Sequence, residues 1–328
     1  MNIIRMSGGI GNQMFQYALY LKLVSLGKEV KFDDVTEYRL ANARPIMLWV
    51  FGIDYPKASR EEVIRLTDAE MELPSRLRRR LFGRKSGEYH EKSADFDEKV
   101  LEKDNAYLCG CFQSERYFKD IEADVRKAFR FRNVRVPDGL EDRVEEYAGQ
   151  IKRKESVGIH IRRGDYLEAE QVYGGICTEA YYDGAVAYML EKYPNACFFV
   201  FTNDVEWAEE WCRKKEAELR GKAAADQGGA ASEGTERFTV IKGTSEETGY
   251  IDLMLMSGCR HHIIANSSFS WWGAWLASSP EQCVAAPVKW LNTCDCRDIF
   301  TEDMIRIDAD GNVKNVKTGS VRTMRNDE

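Results

Sequence analysis

The chain has 328 residues, 44% of them hydrophobic and 31% charged, enough apolar material for about two cored domains of ~100–200 residues each. A net charge of −7 and an isoelectric point near 5.4 exclude a broad nucleic-acid-binding face. No apolar run approaches the ~18 residues of a membrane span, Met1 opens no signal-peptide pattern, and an odd set of nine cysteines lacks scaffold spacing, so a reduced, cytoplasmic protein is expected.

Asn2 to Met6 reads as a short strand, and Ser7-Gly8-Gly9-Ile10-Gly11-Asn12-Gln13 as a glycine-rich turn. Met14, Phe15, Ala18, Leu21, Leu23 and Val24 then space out the apolar face of a helix that stops at Gly27. Val30 to Phe32 is a second strand, closing on Asp33-Asp34. This βαβ unit partly resembles a dinucleotide fingerprint, with its acidic pair ~20 residues on. Met14 stands where that motif needs its third glycine, which counts against a nicotinamide-dependent oxidoreductase with Asp33 or Asp34 on a ribose. Asn12 and Gln13 are expected to project across the top of the sheet instead.

Residues 36–105 are less regular, with helical stretches at Ser59–Leu66 and Leu73–Leu81. The second contains Arg76-Leu77-Arg78-Arg79-Arg80, followed by Arg84 and Lys85. A solvated face is the ordinary reading of such a run, and a weak contact with an anionic membrane the other. Ala106 to Phe112 is a strand, and Tyr117 to Phe129 a helix with Phe118, Ile121, Val125 and Phe129 on one face. Rising charge between Pro137 and Ile151 marks a domain boundary.

The second half is organised around Val157 to Tyr166. Val157, Ile159 and Ile161 fall on one side of a strand, and Gly158, His160 and Arg162 on the other. Desolvating a guanidinium is costly unless an anion meets it. His160 and Arg162, leaving one strand face at its carboxyl end, therefore point to a ligand anion, while Arg163 and Asp165 suggest a structural ion pair. A helix from Glu179 to Tyr193, a strand from Ala196 to Phe201 and a helix carrying Trp207 and Trp211 follow. Ala223 to Glu236 reads as an inserted loop, Phe238 to Ile241 as a strand and Glu246 to Ser257 as a helix. His262 to Ala265 is a strand that opens into Asn266-Ser267-Ser268-Phe269-Ser270 and a tryptophan-rich helix, Trp271 to Leu276. Amides at that helix start suit an anion; the alternative is N-capping by Ser268 or Ser270. Cys283 to Ala286 is the expected last strand, followed by loops and a hairpin through Asp308-Ala309-Asp310-Gly311-Asn312. Cys109-x-Cys111 and Cys294-x-Cys296 lack the usual zinc spacing, and no metal site is expected.

Taken together, Gly8–Ala18, His160-Ile161-Arg162-Arg163-Gly164-Asp165-Tyr166 and Ile264–Leu276 resemble the α-1,2-fucosyltransferases of glycosyltransferase family 11, over nearly the whole chain. The resemblance implies an α/β, GT-B-like fold, two Rossmann-like domains facing a cleft. Residues 1–150 would form an acceptor-side domain, and residues 151–328 a GDP-fucose-binding domain with a C-terminal tail. It also implies inverting transfer from GDP-β-L-fucose to the 2-hydroxyl of a terminal β-galactoside, with no metal or other cofactor and no nucleic acid. Arg162 would hold the donor diphosphate, Gly11, Asn12 and Gln13 would line the catalytic cleft, and Asp252 would meet the guanine edge. Asn266, Ser267, Ser268 and Phe269 would complete the donor site. The motif offers His160 and Asp165 as proton acceptors, both weakened by neighbouring arginines; a base from the N-terminal domain, or none, stays open. No membrane anchor of the animal kind is present, so a soluble, bacterial-type enzyme is expected, meeting a membrane surface at most through a lipid-linked acceptor. The alternative is a sugar-nucleotide or glycan-binding module without catalysis.

Overall fold

A computed structural model describes residues 1–39, 43–67, 73–83, 85, 87–226 and 236–314, apart from the side chains of Asp165, Leu167 and residues 222–226. Two sheets organise them. The first takes β1 (Asn2–Arg5), β2 (Val30–Asp33), β3 (Glu88–His90) and β4 (Tyr107–Cys109) in the order β2-β1-β4-β3, all parallel. The second is built from β5 (Glu155–Ile161), β6 (Ala196–Thr202), β7 (Phe238–Val240), β8 (His261–Ile263), β9 (Val284–Pro287), β10 (Met304–Ile307) and β11 (Val313–Lys314). Its order is β11-β10-β9-β8-β5-β6-β7, parallel except at β11. Helices cover both faces of a parallel sheet, so its central strands are apolar on both sides; Phe198, Phe199 and Val200 in β6 are all fully buried.

Three stretches differ from expectation. Val284–Pro287 is not the last strand: Met304–Ile307 follows and pairs with it in parallel. Its four residues are buried only at Met304 and Ile307 and include Arg306, so no hydrophobic period announces it. A non-local ladder creates it, helped by Arg306 donating from Nε to the Pro287 carbonyl. The expected hairpin does join β10 to β11, with the Asp308 carboxylate accepting from the amides of Asp310 and Asn312. Second, the Tyr117–Phe129 stretch is two 3₁₀ turns, Glu115–Tyr117 and Lys119–Ile121, ahead of the helix Glu122–Ala128. Phe118 breaks the helical path at φ −141°, and its ring stacks 5.5 Å from Trp272. Third, the helix Val205–Asp226 runs into the expected insertion, of which residues 227–235 lie outside the described residues.

The two sheets are joined through helices. Ile10–Ser25 from the first unit meets Ser268–Leu276 from the second, with the Phe15 ring 4.6 Å from Trp271 and 4.9 Å from Trp272. Phe129 closes on Trp272 at 5.0 Å. Among the described residues the Trp272 indole N–H finds no hydrogen-bond partner, and ring packing holds that side chain in the seam. Gly11 lets the two helix starts touch: a Cβ there would lie 2.6 Å from the Phe269 amide nitrogen.

Candidate functional site

A cleft of about 930 Å³ opens where the carboxyl ends of the two sheets face each other. His160, near the end of β5, lines it and is only 5% exposed, and its Nδ1 has no hydrogen-bond partner among the described residues. Burial, and then the Arg162 charge, push its pKa down to about 3. The imidazole is therefore neutral at physiological pH, with one ring nitrogen left to meet a ligand. Arg162 leaves the strand directly after Ile161, and its guanidinium lies 5.6 Å from the centroid of the Tyr166 ring. Tyr166 stacks on Tyr173 at 4.1 Å and donates its hydroxyl to the Asn266 carbonyl. The arginine's platform is thus tied to the loop that starts the tryptophan helix.

That helix begins at Ser267, in extended conformation (φ −137°, ψ 126°), with no side-chain cap. The two capping candidates are engaged elsewhere. Ser268 Oγ donates to Asn12 Oδ1 at 2.7 Å, and Ser270 Oγ donates to the carbonyls of Ala265 and Ser267. First-turn amides without a cap, at the positive end of the helix dipole, favour an anion; here the Phe269 ring of that first turn lies 5.1 Å from the His160 ring. At another part of the wall, Asp252 Oδ2 accepts from Thr244 Oγ1 at 3.0 Å, while Oδ1 is shielded from solvent and has no partner among the described residues. Burial pushes this carboxyl up to about 7, against the lowering effect of the Thr244 bond.

The opposite wall comes from the first sheet. Asn12 Oδ1 also accepts from Gln113 Nε2 at 2.8 Å, and Gln113 Oε1 accepts from Trp290 Nε1 at 3.1 Å. A relay Ser268–Asn12–Gln113–Trp290 therefore spans both units. Just past β3, the Glu91 carboxylate accepts from the Cys111 amide at 2.7 Å and from the Phe112 amide at 3.1 and 3.2 Å. The turn is shaped to receive it. Phe112 adopts φ 53°, rare for a non-glycine residue, and a Cβ on Gly110 would lie 2.6 Å from Glu91 Cβ. Burial raises the Glu91 pKa and the two amide bonds oppose it. Glu91 and Gln113 both line the cleft and escaped the sequence reading. Each stands alone in sequence; the only signal was position, Gln113 lying just beyond an expected strand.

Several expected site residues also serve the frame. Gln13 is fully buried, donating to the carbonyls of Gly8 and Pro45 and accepting from the Met47 amide, all at 2.9 Å. It fastens the glycine loop from behind and does not project over the sheet. Gly11 lines the cleft and also provides the helix-to-helix contact. Asn266 borders the cleft, but its amide donates to the Trp290 carbonyl and its Oδ1 accepts from the Cys177 thiol. Arg163 pairs with Asp204 at 3.0 Å and lies over Trp207; the side chain of its expected partner, Asp165, is outside the described residues. The dinucleotide reading fails on its acids. Asp33 accepts from the amides of Val35 and Thr36 and from the Tyr107 hydroxyl, and Asp34 meets Lys57 and the Tyr55 hydroxyl. Among the described residues, no group of three His, Cys, Asp or Glu side chains is placed to hold a metal ion. Among them also, no helix is long and apolar enough to cross a membrane.

The chain is similar to an α-1,2-colitosyltransferase of Escherichia coli, 31% identical over 296 residues, covering 88% of this chain and 92% of that one. It is 25% identical over 280 residues to human galactoside α-(1,2)-fucosyltransferase 1, covering 83% of this chain and 64% of the human protein. Among solved structures, a mutant of Arabidopsis thaliana FUT1 in complex with GDP aligns with 86% of this chain and 69% of that one, at 8% identity and a TM-score of 0.44. Residues 1–294 match the sequence profile of glycosyl transferase family 11, and the chain belongs to that family.

Proposed function

We propose that the protein transfers L-fucose from GDP-β-L-fucose to the 2-hydroxyl of a terminal β-galactoside, with inversion and without a metal cofactor. The observation that carries this reading is the convergence in one cleft of Arg162, the uncapped start of the Ser268–Leu276 helix and the unpartnered His160 nitrogen. A diphosphate leaving group needs such donors, because its negative charge grows as the bond to the sugar breaks. Asp252 Oδ1 is suited to the paired N–H donors of a guanine edge. On the facing wall Glu91 is the carboxylate placed to receive the acceptor's proton. The acceptor oxygen then bonds to the fucosyl carbon as its O–H proton passes to Glu91, and GDP departs with the electrons of the broken C–O bond. His160, held neutral far below its usual range, orients the diphosphate and does not serve as the base. Asp165 is the second candidate for that role.

The likeness to a colitosyltransferase favours a second donor, since colitose is L-fucose without its 3-hydroxyl. The test is transfer from GDP-fucose and GDP-colitose to lactose and to galactose-terminated glycans, with linkage read by NMR, with and without EDTA. Fucose in α-1,2 linkage to galactose, undiminished by EDTA, is expected. Preferred use of GDP-colitose would replace the donor assignment. Activity lost to EDTA and restored by Mg²⁺ would overturn metal independence. Tight GDP binding by calorimetry with no transfer to any acceptor would favour a binding module.

A further inference from the structure

The helix Leu73–Phe82 buries none of its residues. Leu73, Leu77 and Leu81 follow one another at four-residue intervals and are 79%, 60% and 66% exposed, with Phe82 at 75%. That spacing lines the leucines along one side of the helix, and the exposed Arg76 and Arg80 adjoin them. Water is a poor partner for such a stripe, and exposed apolar lines of this kind mark interaction surfaces. From Leu73 to Gly87 the sequence holds six basic residues and no acidic one, in a chain whose net charge is −7.

We infer that this helix docks the protein on an anionic phospholipid surface, the leucines entering the headgroup–acyl boundary and Arg76 and Arg80 meeting lipid phosphates. A basic, amphipathic helix lying in the plane of the interface has this pattern, and its hold combines apolar burial with charge attraction. Charge disfavours a second copy of the chain as the occupant, since pairing two such faces would set arginines against arginines. Its place in the fold also suits a membrane. Arg78 and Lys85 border a hollow with Gly87, Asp104 and Asn105, at the amino ends of β3 and β4, whereas the cleft lies at their carboxyl ends. Docking there leaves the cleft mouth uncovered. The inference stands apart from the identity of the transferred sugar.

The test is sedimentation of the full-length protein with vesicles of phosphatidylcholine alone and of phosphatidylcholine mixed with phosphatidylglycerol, across a salt series. Binding is expected to the mixed vesicles only and to weaken as salt rises. The Leu77→Asp/Leu81→Asp double variant should lose it. Arg76→Ala/Arg80→Ala should weaken it by about tenfold or more, on the order expected for two basic residues at an anionic surface. These side chains are exposed, so thermal melts and transfer to a soluble acceptor should match the parent. If the leucine variant melts early, the arginine variant and the salt series still decide. Absence of binding to mixed vesicles, or binding that survives both double variants, would overturn the inference. So would a dimer in analytical ultracentrifugation that Leu77→Asp/Leu81→Asp separates, which would give the stripe to a second copy.

Discussion

Asp252 sits with one oxygen unpartnered and its carboxyl pushed up to about 7 by burial, against ~3.9 in an unfolded chain. Between those values the folded protein binds the extra proton at Asp252, so this carboxyl's own contribution to stability is lost as pH rises from about 4 through 7. Asp252→Asn should remove that loss: melting temperatures of parent and variant should converge in acid, and the variant should melt higher above neutrality. Guanine N–H donors favour the ionised carboxylate, so GDP should bind the parent about tenfold more tightly at pH 8 than at pH 6, beyond any change the Asn variant shows. Equal pH slopes in the two proteins, by calorimetry, would remove Asp252 from the nucleotide site. His160 acts with the opposite sign. Neutral in the folded protein down to about 3 but protonated below ~6.5 in an unfolded chain, it adds stability as pH rises, a contribution common to parent and Asn variant that the comparison cancels. Arg162 offers a kinetic counterpart. Arg162→Lys keeps charge but loses the planar fork, and kcat should fall by about 10²–10³-fold. Arg163→Lys, which disturbs the contacts to Asp204 and Trp207, should lower the melting temperature and leave kcat near the parent's. Turnover at the parent rate by the Arg162 variant would end its assignment to the diphosphate.

At the level of elements, β1, β5 and β6 and the Ile10–Ser25 helix were legible because their apolar residues recur with the period of the structure they form. β10 was not, because pairing with β9 and β11, and no local period, makes it a strand. The site shows the same division. His160 and Arg162 could be read from one strand face, since a strand reports which residues share a side. Gln13 was misjudged, because an amide in a loop motif looks alike whether it meets a ligand or a carbonyl, whereas Asn266 does border the cleft. Glu91 and Gln113 reach the cleft only through the folding of separate segments. Gly11 is the joint between elements, and Gly11→Ala tests it. The added methyl meets the backbone of Ser268 and Phe269 at 2.6 Å, atoms that cannot rotate aside. The helix starts must separate, at a cost of about 1–3 kcal/mol. A lowered melting temperature together with a raised KM for the donor is expected; an unchanged melt would show that the seam yields freely.

Across the whole molecule, one core cluster runs from Phe15, Phe118 and Phe129 of the first unit to Trp271 and Trp272 of the second. Ion pairs add to it at the periphery, Arg44 meeting Glu246 at 2.8 Å and Arg116 meeting Asp298 at 2.9 Å. Calorimetry should therefore record a single unfolding transition. Trp272→Ala should lower stability by about 3–5 kcal/mol, and two resolved transitions in the parent would contradict a shared core.

The seam bears on how such enzymes can be recombined. The Ser268–Leu276 helix offers its start to the cleft and its rings to the other unit's core, so it is half cleft wall and half foreign hydrophobic filling. A chimaera cut near residue 150, made to exchange donor preference between relatives, would transplant a tryptophan plug without its socket. Grafts that carry Gly11, Phe15, Phe118 and Phe129 along with the donor half should express and turn over; those that leave them behind should aggregate. Modularity here follows the contact surface between the halves, not the point at which the chain passes from one to the other.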